Sequence, residues 1–301
     1  MPASPPLQSM LLAWARGGLR DLPWRRTRDP WAILVAETML QQTQVSRVVD
    51  RWTQFLDRFP DPSTCADAPA ADTLREWAGL GYNRRALMLH RAATVIRDEH
   101  RGWVPEEIEA LMTLPGVGTY TARAVVAFAF EGPAGPVDTN IGRVLARVGG
   151  MRLSPKEAQR FADSLVPAGE SWWWNQGIME LGATVCTKRA PSCRSCPIHD
   201  CCAWQGSGAD PADGSASVSR PQARFEGSDR QLRGQMIDLL RDAAQRESEI
   251  ASLVAPDDAV RRAQIVDGLL ADGLIERAGD VIRLAGDQAG PVSEARSASI
   301  A

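Results

Sequence analysis

Two carboxylates in this sequence lie where their surroundings would pull their acidities apart. Glu37 interrupts the apolar run Ala32–Leu40. An ionised carboxylate there loses hydration, so its pKa rises and it can hold a proton near neutral pH. Asp138 follows Gly135-Pro136-Val137 and precedes a helix predicted over Thr139–Val148. That is an N-cap position, which favours the ionised form. One carboxyl kept as acid and one kept as anion is what cleavage of a glycosidic bond requires. The leaving group needs a proton, and the sugar needs a nearby negative charge as it becomes oxocarbenium-like. Each residue also has a plainer reading. An Asp at an N-cap is usually just a cap, and a Glu in an apolar run is usually a partly exposed helix residue. Neither carries a functional claim alone.

Of six cysteines, five fall within seventeen residues, and Cys186, Cys193, Cys196 and Cys202 are spaced C-x6-C-x2-C-x5-C with Cys201 as a neighbour. In a cytosolic chain such density favours a metal over disulfides. Thiolates in this number suit zinc or an iron–sulfur cluster. The spacing departs from the paired C-x2-C motifs of zinc sites and matches the iron–sulfur loop of endonuclease III-like enzymes. Lys188 and Arg189 lie between the first two cysteines. Cations there either balance an anionic cluster or contact a phosphate, and both readings stand. Cys65 reads as an ordinary buried thiol.

Leu111–Ala122 has the string LxxLPGVGxxTA, which reads helix, tight turn, helix. Gly116 and Gly118 permit positive φ and close backbone approach. The following helix, with Thr121 in its first turn, offers free N–H groups and a positive dipole end to a phosphate. A Pro-Gly-x-Gly turn alone mostly connects helices. The full string is the signature of a helix-hairpin-helix that grips DNA without regard to sequence.

These residues need elements to position them. Residues 1–204 read as nearly all helix. Leu89, Ala92, Ala93 and Ile96 form one face of a helix ending near His100, and Thr121–Phe130 is apolar all round, as in a central buried helix. Ser154-Pro155-Lys156-Glu157 is a capping box with Pro at the first helical position. Residues 205–226 are a linker by composition. Helices are predicted over Ser228–Ala244, Ser248–Val254 and Asp257–Ala271, followed by β-like runs at Leu274–Arg277 and Val281–Leu284. That pattern is winged-helix-like. Residues 287–301 read as a disordered tail.

The chain has 301 residues and a net charge of −3. Residues 1–204 hold 23 Lys and Arg against 21 Asp and Glu, and the remainder 11 against 16. The acidity therefore lies C-terminally, which argues against strong phosphate contact by the winged-helix-like part. Packing on the rest of the chain, or binding a protein, are the alternatives for it. No apolar run approaches a membrane span, and the N-terminus lacks a secretory pattern. A cytoplasmic monomer with no membrane partner is the expectation.

Several strings agree at once. Leu22-Pro23-Trp24-Arg25, then Ala36–Val45 (AETMLQQTQV), Gly79-Leu80-Gly81-Tyr82, the LPGVG hairpin, Val137-Asp138-Thr139-Asn140 and the four cysteines occur in order. Over residues 10–204 the chain resembles adenine DNA glycosylases of the MutY type. The resemblance implies an all-α, two-lobed helix-hairpin-helix glycosylase fold with a [4Fe-4S] loop, followed here by the small α+β module. One lobe would comprise 1–29 and 141–204 with the cluster loop. The other, 30–140, would be a helical barrel carrying the hairpin, with the linker at 205–226 and the module at 227–286.

By the same resemblance, Glu37 protonates adenine and later helps water attack, and Asp138 stabilises the sugar cation or a covalent intermediate. Tyr120 and Asn140 support them. Trp24, Arg25 and Gln176 would line the pocket for a flipped adenine. Gln42 and Tyr82 would enter the duplex, with Gln41 beside them among the substrate-binding residues. Gly116, Gly118, Thr121, Lys188 and Arg189 would meet phosphates, and Cys186, Cys193, Cys196 and Cys202 would hold the cluster. Relatives that also cleave the strand use a lysine where this chain has Tyr120, and its two lysines are Lys156 and Lys188. A monofunctional enzyme acting on double-stranded DNA with mispaired adenine, opposite 8-oxoguanine or guanine, is the expectation; its place is the nucleoid. A pyrimidine-directed glycosylase and a non-catalytic iron–sulfur DNA-binding protein are the alternatives. Thr139 and Asn83 depart from the family, which commonly has a glycine and a second tyrosine there, and the family's usual C-terminal β-rich domain is replaced by the module.

Overall fold

The computed structural model describes residues 5–215 and 224–287. These fall into two compact units, within Met1–Glu37, Pro105–Thr113 and Val117–Pro221 for the first, and Thr38–Val104, Leu114–Gly116 and Gln222–Ala301 for the second. In chain order the helices are α1 (Pro5–Gly18), α2 (Pro30–Leu40), α3 (Val45–Arg58), α4 (Pro62–Asp67), α5 (Ala70–Glu76), α6 (Arg84–Glu99), α7 (Ile108–Thr113) and α8 (Thr119–Ala129). They continue with α9 (Thr139–Gly149), α10 (Pro155–Leu165), α11 (Ser171–Thr184), α12 (Asp229–Asp242), α13 (Glu247–Leu253) and α14 (Ala259–Ala271).

In the first unit α11 is central, packing against α1, α8 and α9. Its buried face includes Trp174, Ile178 and Leu181, and these join Leu11 of α1 and Leu145 of α9 in one core. α8 is buried on nearly every side, from Thr121 and Ala122 through Phe128, as its unbroken apolar run requires. Because α8 lies on α11, the unit takes in residues 105–113 and 117–140, which the sequence division assigns to the other lobe. α10 starts with the expected capping box of Ser154 and Glu157.

In the second unit α4 and α5 pack against α6, and α3 against α5. Leu89, Ala92, Ala93 and Ile96 are buried, as their spacing predicts. Phe55 and Trp77 meet edge to face with centroids 6.1 Å apart. The C-terminal module belongs to this unit. Its helices α12, α13 and α14 match the sequence reading within two residues or so, and strands β2 (Ile275–Ala278) and β3 (Val281–Leu284) form the expected hairpin. A two-residue strand, β1 (Gln245–Arg246), pairs antiparallel with β3 to give the order β1-β3-β2. It is too short to leave a periodic signal. Met236, Ile237, Leu240, Leu269, Ile282 and Leu284 close the module's core.

Residues 205–215 do not behave as linker. Asp210 accepts hydrogen bonds from Arg147 (2.6 Å from Nη2), and Ala212 is buried in the core of the first unit. The Gly, Ser and Asp composition there serves tight turns rather than free chain. The tail expected over 287–301 lies outside the described residues beyond Asp287. Among the described residues, no helix is long and apolar enough to cross a membrane.

Candidate active site

Glu37 is 5% exposed, surrounded on α2 by buried Ile33, Leu34, Val35, Ala36 and Met39. Its carboxyl is hydrogen-bonded to the Tyr120 hydroxyl, which comes from the first turn of α8. Burial pushes the Glu37 carboxyl up to about 7; the negative charge of Asp138 adds to the rise and the Tyr120 bond opposes it. The Tyr120 phenol is itself driven well above its usual value by burial and by the two carboxyls, so it is a neutral donor.

Asp138 caps α9. Its Oδ1 accepts from the backbone N–H of Asn140 (2.9 Å) and Ile141 (2.7 Å), and its Oδ2 from Asn140 Nδ2 (3.1 Å). The cap forms as expected, yet its effect on acidity does not follow the cap alone. Burial raises the Asp138 carboxyl above its ordinary value, against those three donors and the Arg143 guanidinium. Two carboxyls that feel one another this way do not both ionise readily. With three hydrogen bonds and a nearby cation on Asp138 against one phenol on Glu37, the shared negative charge belongs on Asp138 and the proton on Glu37.

The loop that delivers Asp138 is pinned at each step. Ser171 Oγ donates to the Gly132 carbonyl (2.6 Å), Asn175 Nδ2 to that of Ala134 (2.9 Å), and Gln159 Nε2 to that of Gly135 (2.8 Å). Gly182 of α11 lets α9 come close, since a Cβ there would stand 3.0 Å from Asn140 Cβ and 3.1 Å from its carbonyl oxygen. Arg143, which no sequence motif marks, donates from Nη2 to Asn140 Oδ1 (2.9 Å) and from Nε to the Cys186 carbonyl (2.8 Å). It fixes the orientation of the Asn140 amide.

Trp24 is buried. Arg25 Nε donates to Gln176 Oε1 (2.7 Å), which brings together two of the three residues expected at the pocket. The anchor of this group is Glu180, which sequence reasoning missed. It receives Arg25 (2.8 Å) and Arg20 (2.6 Å) and is 3% exposed. Burial opposes its ionisation, but the two guanidiniums outweigh that and hold the carboxyl below its usual range.

In the second unit, Gln41 and Gln42 follow α2 and Tyr82 precedes α6. Gln42 and Tyr82 both have left-handed backbones, with φ of 56° and 48°. Arg85 organises both loops and carries no motif signal. Its Nη1 donates to the carbonyls of Thr38 (2.8 Å), Met39 (2.9 Å) and Gln41 (2.6 Å), and its Nη2 to Thr43 Oγ1 (2.9 Å) and the Gly81 carbonyl (3.1 Å). The guanidinium also lies 5.6 Å from the Tyr82 ring centroid.

In the hairpin turn only Gly116 is left-handed (φ 79°), and a Cβ there would meet Met88 Cβ at 2.6 Å. Gly118 is instead the extended N-cap of α8 with open space where a Cβ would stand. Thr121 is 2% exposed, so its side chain is turned inward and only its backbone can serve the expected phosphate. Lys188 and Arg189 are exposed.

Cys186, Cys193, Cys196 and Cys202 line one cavity together with Val144, Leu181 and Ile198. Cys201 is not part of it; its Sγ lies 3.7 Å from Met10 Sδ. Arg147 closes the inner wall, donating from Nη1 to Cys186 Sγ (3.3 Å) and to the Thr187 carbonyl (2.8 Å) while paired with Asp210. Among the described residues, no three His, Cys, Asp or Glu side chains converge as ligands of a single ion. Four sulfurs around a common, mostly apolar space with a cation behind it fit an anionic thiolate-bound group. Cys65 is buried, and burial pushes its thiol up to about 12, in keeping with an inert structural role.

Comparison with known proteins agrees with this geometry. Residues 35–168 match the HhH-GPD superfamily base excision DNA repair protein family. An adenine DNA glycosylase of Mycobacterium tuberculosis is 46% identical over 281 residues, covering 90% of each chain. An alignment that long takes in much of the C-terminal module. A human adenine DNA glycosylase is 39% identical over 207 residues, covering 64% of this chain and 38% of its own. Among solved structures, a thermostable thymine-DNA glycosylase superposes with a TM-score of 0.63 at 32% identity, covering 66% of this chain and 94% of its own. The chain belongs to the MutY-type adenine DNA glycosylases of the HhH-GPD base excision repair superfamily.

Proposed function

We infer that the protein extrudes adenine paired with 8-oxoguanine or guanine from duplex DNA and hydrolyses its N-glycosidic bond, leaving an abasic site. The observation that carries this reading is the hydrogen bond of buried Glu37 to Tyr120 with the half-buried carboxyl of Asp138 near enough to act on both, an arrangement that favours one proton and one negative charge across the two carboxyls. Glu37 hands its proton to the leaving adenine, and the anion of Asp138 faces the developing sugar cation. Asn140, held by Arg143, keeps Asp138 in place. Glu37, now ionised, takes a proton from the attacking water. Tyr120 lacks an amine, so no Schiff base forms there and the strand is left intact.

Trp24, Arg25 and Gln176 line the adenine pocket, and Gln41, Gln42 and Tyr82 engage the duplex as the base leaves it. The backbone of the Gly116–Gly118 turn, with Thr121, and the exposed Lys188 and Arg189 take phosphates. Cys186, Cys193, Cys196 and Cys202 hold a [4Fe-4S] cluster. When bound it supplies a rigid cross-link for the loop and an electron-transfer centre. The enzyme works as a monomer on the nucleoid.

Single-turnover assays on duplexes carrying A:8-oxoguanine, A:G, T:G and oxidised thymine test the reading. Adenine release that disappears in Glu37→Gln and in Asp138→Asn is the expected result. Release of thymine alone would assign the site to pyrimidines, and binding with no base release by the wild type would leave a non-catalytic DNA-binding protein.

A further inference from the structure

Within the second unit, the C-terminal module is built onto the Gly79–Asn83 loop. Arg230, in the first turn of α12, donates from Nη1 to the Tyr82 hydroxyl (3.0 Å). Arg241 lies eleven residues further along α12, which is three turns and therefore the same face. It donates from Nη2 to Asn83 Oδ1 (2.8 Å) and from Nε to the Leu74 carbonyl (3.0 Å). Arg75 of α5 answers from the other side, donating to the Arg241 carbonyl (3.0 Å) and to Asp287 (2.7 Å), beyond β3. α12 packs against α5.

The loop so held is one that does not keep its shape unaided. Gly79, Gly81 and Tyr82 all have positive φ, at 82°, 70° and 48°. For the aromatic Tyr82 that conformation is strained and persists only where the surroundings hold it. Tyr82 remains 41% exposed. Its ring has the Arg85 guanidinium near its inner side and Arg230 at its hydroxyl, so one grip comes from the helical part and the other from the module.

We propose that the C-terminal module is a positioning device for mispair engagement, in which Arg230 fixes the tip of Tyr82 and Arg241 fixes Asn83 behind it. This rests on the reading of Tyr82 as the residue that enters the duplex. It gives the acidic module a task that needs no phosphate contact of its own. The two side chains it extends to the loop, Arg230 and Arg241, are cationic while its overall charge is negative, and Asp238 of the same helix pairs with Arg241. Arg230 and Arg241 are positioning residues acting through Tyr82 and Asn83, and the partner they prepare the loop for is duplex DNA at a mispair.

The test uses the full chain in a Glu37→Gln background, so that bound DNA is not consumed. Affinities for an A:8-oxoguanine duplex and for the matched duplex are measured for Arg230→Met, Arg230→Lys, Tyr82→Phe and the double variant Arg230→Met/Tyr82→Phe. Loss of one charge-assisted bond at a half-exposed site is expected to weaken mispair binding about 3- to 10-fold, and matched binding by less than about 2-fold. Arg230→Lys should restore most of the loss. In the Tyr82→Phe background, Arg230→Met should add nothing, because the hydroxyl it acts through is gone. Additive losses, equal losses on both duplexes, or no loss at all would overturn the proposal. Equal losses would identify Arg230 as a phosphate ligand instead. Tyr82→Ala separates the layers. If it leaves mispair binding unchanged, the reading of Tyr82 itself fails. If it weakens binding while Arg230→Met does not, only the positioning role fails.

Discussion

Replacing Glu37 with glutamine should abolish excision and at the same time stabilise the protein, by an amount that depends on pH. The folded state raises the Glu37 carboxyl from 4.5 to about 7, so it binds the proton more tightly than the unfolded chain does. Stability from this group is complete below the unfolded pKa and is lost as pH rises through about 7. At 1.36 kcal/mol per pH unit, the full penalty on the alkaline side is about 3 kcal/mol. Glutamine has nearly the same shape, is never charged, and can still accept from Tyr120, so it escapes the penalty. Urea unfolding of wild type and Glu37→Gln, followed by tryptophan fluorescence, measures the difference. The variant's advantage should grow by about 2 kcal/mol between about pH 5.5 and 8.5. An advantage that stays flat across that range, or a wild type more stable than the variant at alkaline pH, would refute the argument that desolvation holds the proton on Glu37.

Other perturbations follow from the packing around the site. Gly182→Ala sets a Cβ 3.0 Å from Asn140; single-turnover excision should fall about tenfold or more, while overpacking costs about 1–3 kcal/mol of stability by urea unfolding. Unchanged excision would mean that Asn140 has room to spare. Cys202→Ser should bleach the brown absorbance near about 400 nm expected of an iron–sulfur protein, whereas Cys201→Ser, outside the cavity, should keep it. Arg147→Met removes the partner of the partly exposed Asp210 and the donor to Cys186 Sγ. It should cost about 1–3 kcal/mol in unfolding free energy, because Asp210 keeps access to water, and the purified protein should lose colour faster than wild type.

The residues that announce the chemistry were legible in the sequence because each violates its local context. A carboxylate in an apolar helix and glycines at a helix junction each have a plainer explanation alone, but together with five cysteines in one short stretch they have few. The helices of both units were legible for a different reason, since periodic burial writes itself into spacing. What stayed hidden are the groups whose role exists only after the chain converges. Arg85 gathers carbonyls from 38–41 and 80–81, Glu180 gathers Arg20 and Arg25, and Arg143 joins Asn140 to Cys186. An arginine among many arginines gives no local sign of this. The acidity of Asp138, though not its charge, is hidden for the same reason. Its cap is a local feature, but its burial is supplied by the fold. Thr121, Ala212 and Ser215 show the converse, where residues that read as surface or linker are turned inward.

The most direct measurement is the pH dependence of single-turnover adenine release by the wild-type enzyme on an A:8-oxoguanine duplex well below saturation, where the rate reports ionisation of the free enzyme. With Glu37 as the proton donor, the rate should drop tenfold for each pH unit above about 7. A rate that is level, or that climbs, from pH 6 to 9 would mean that the proton for the leaving base does not come from Glu37.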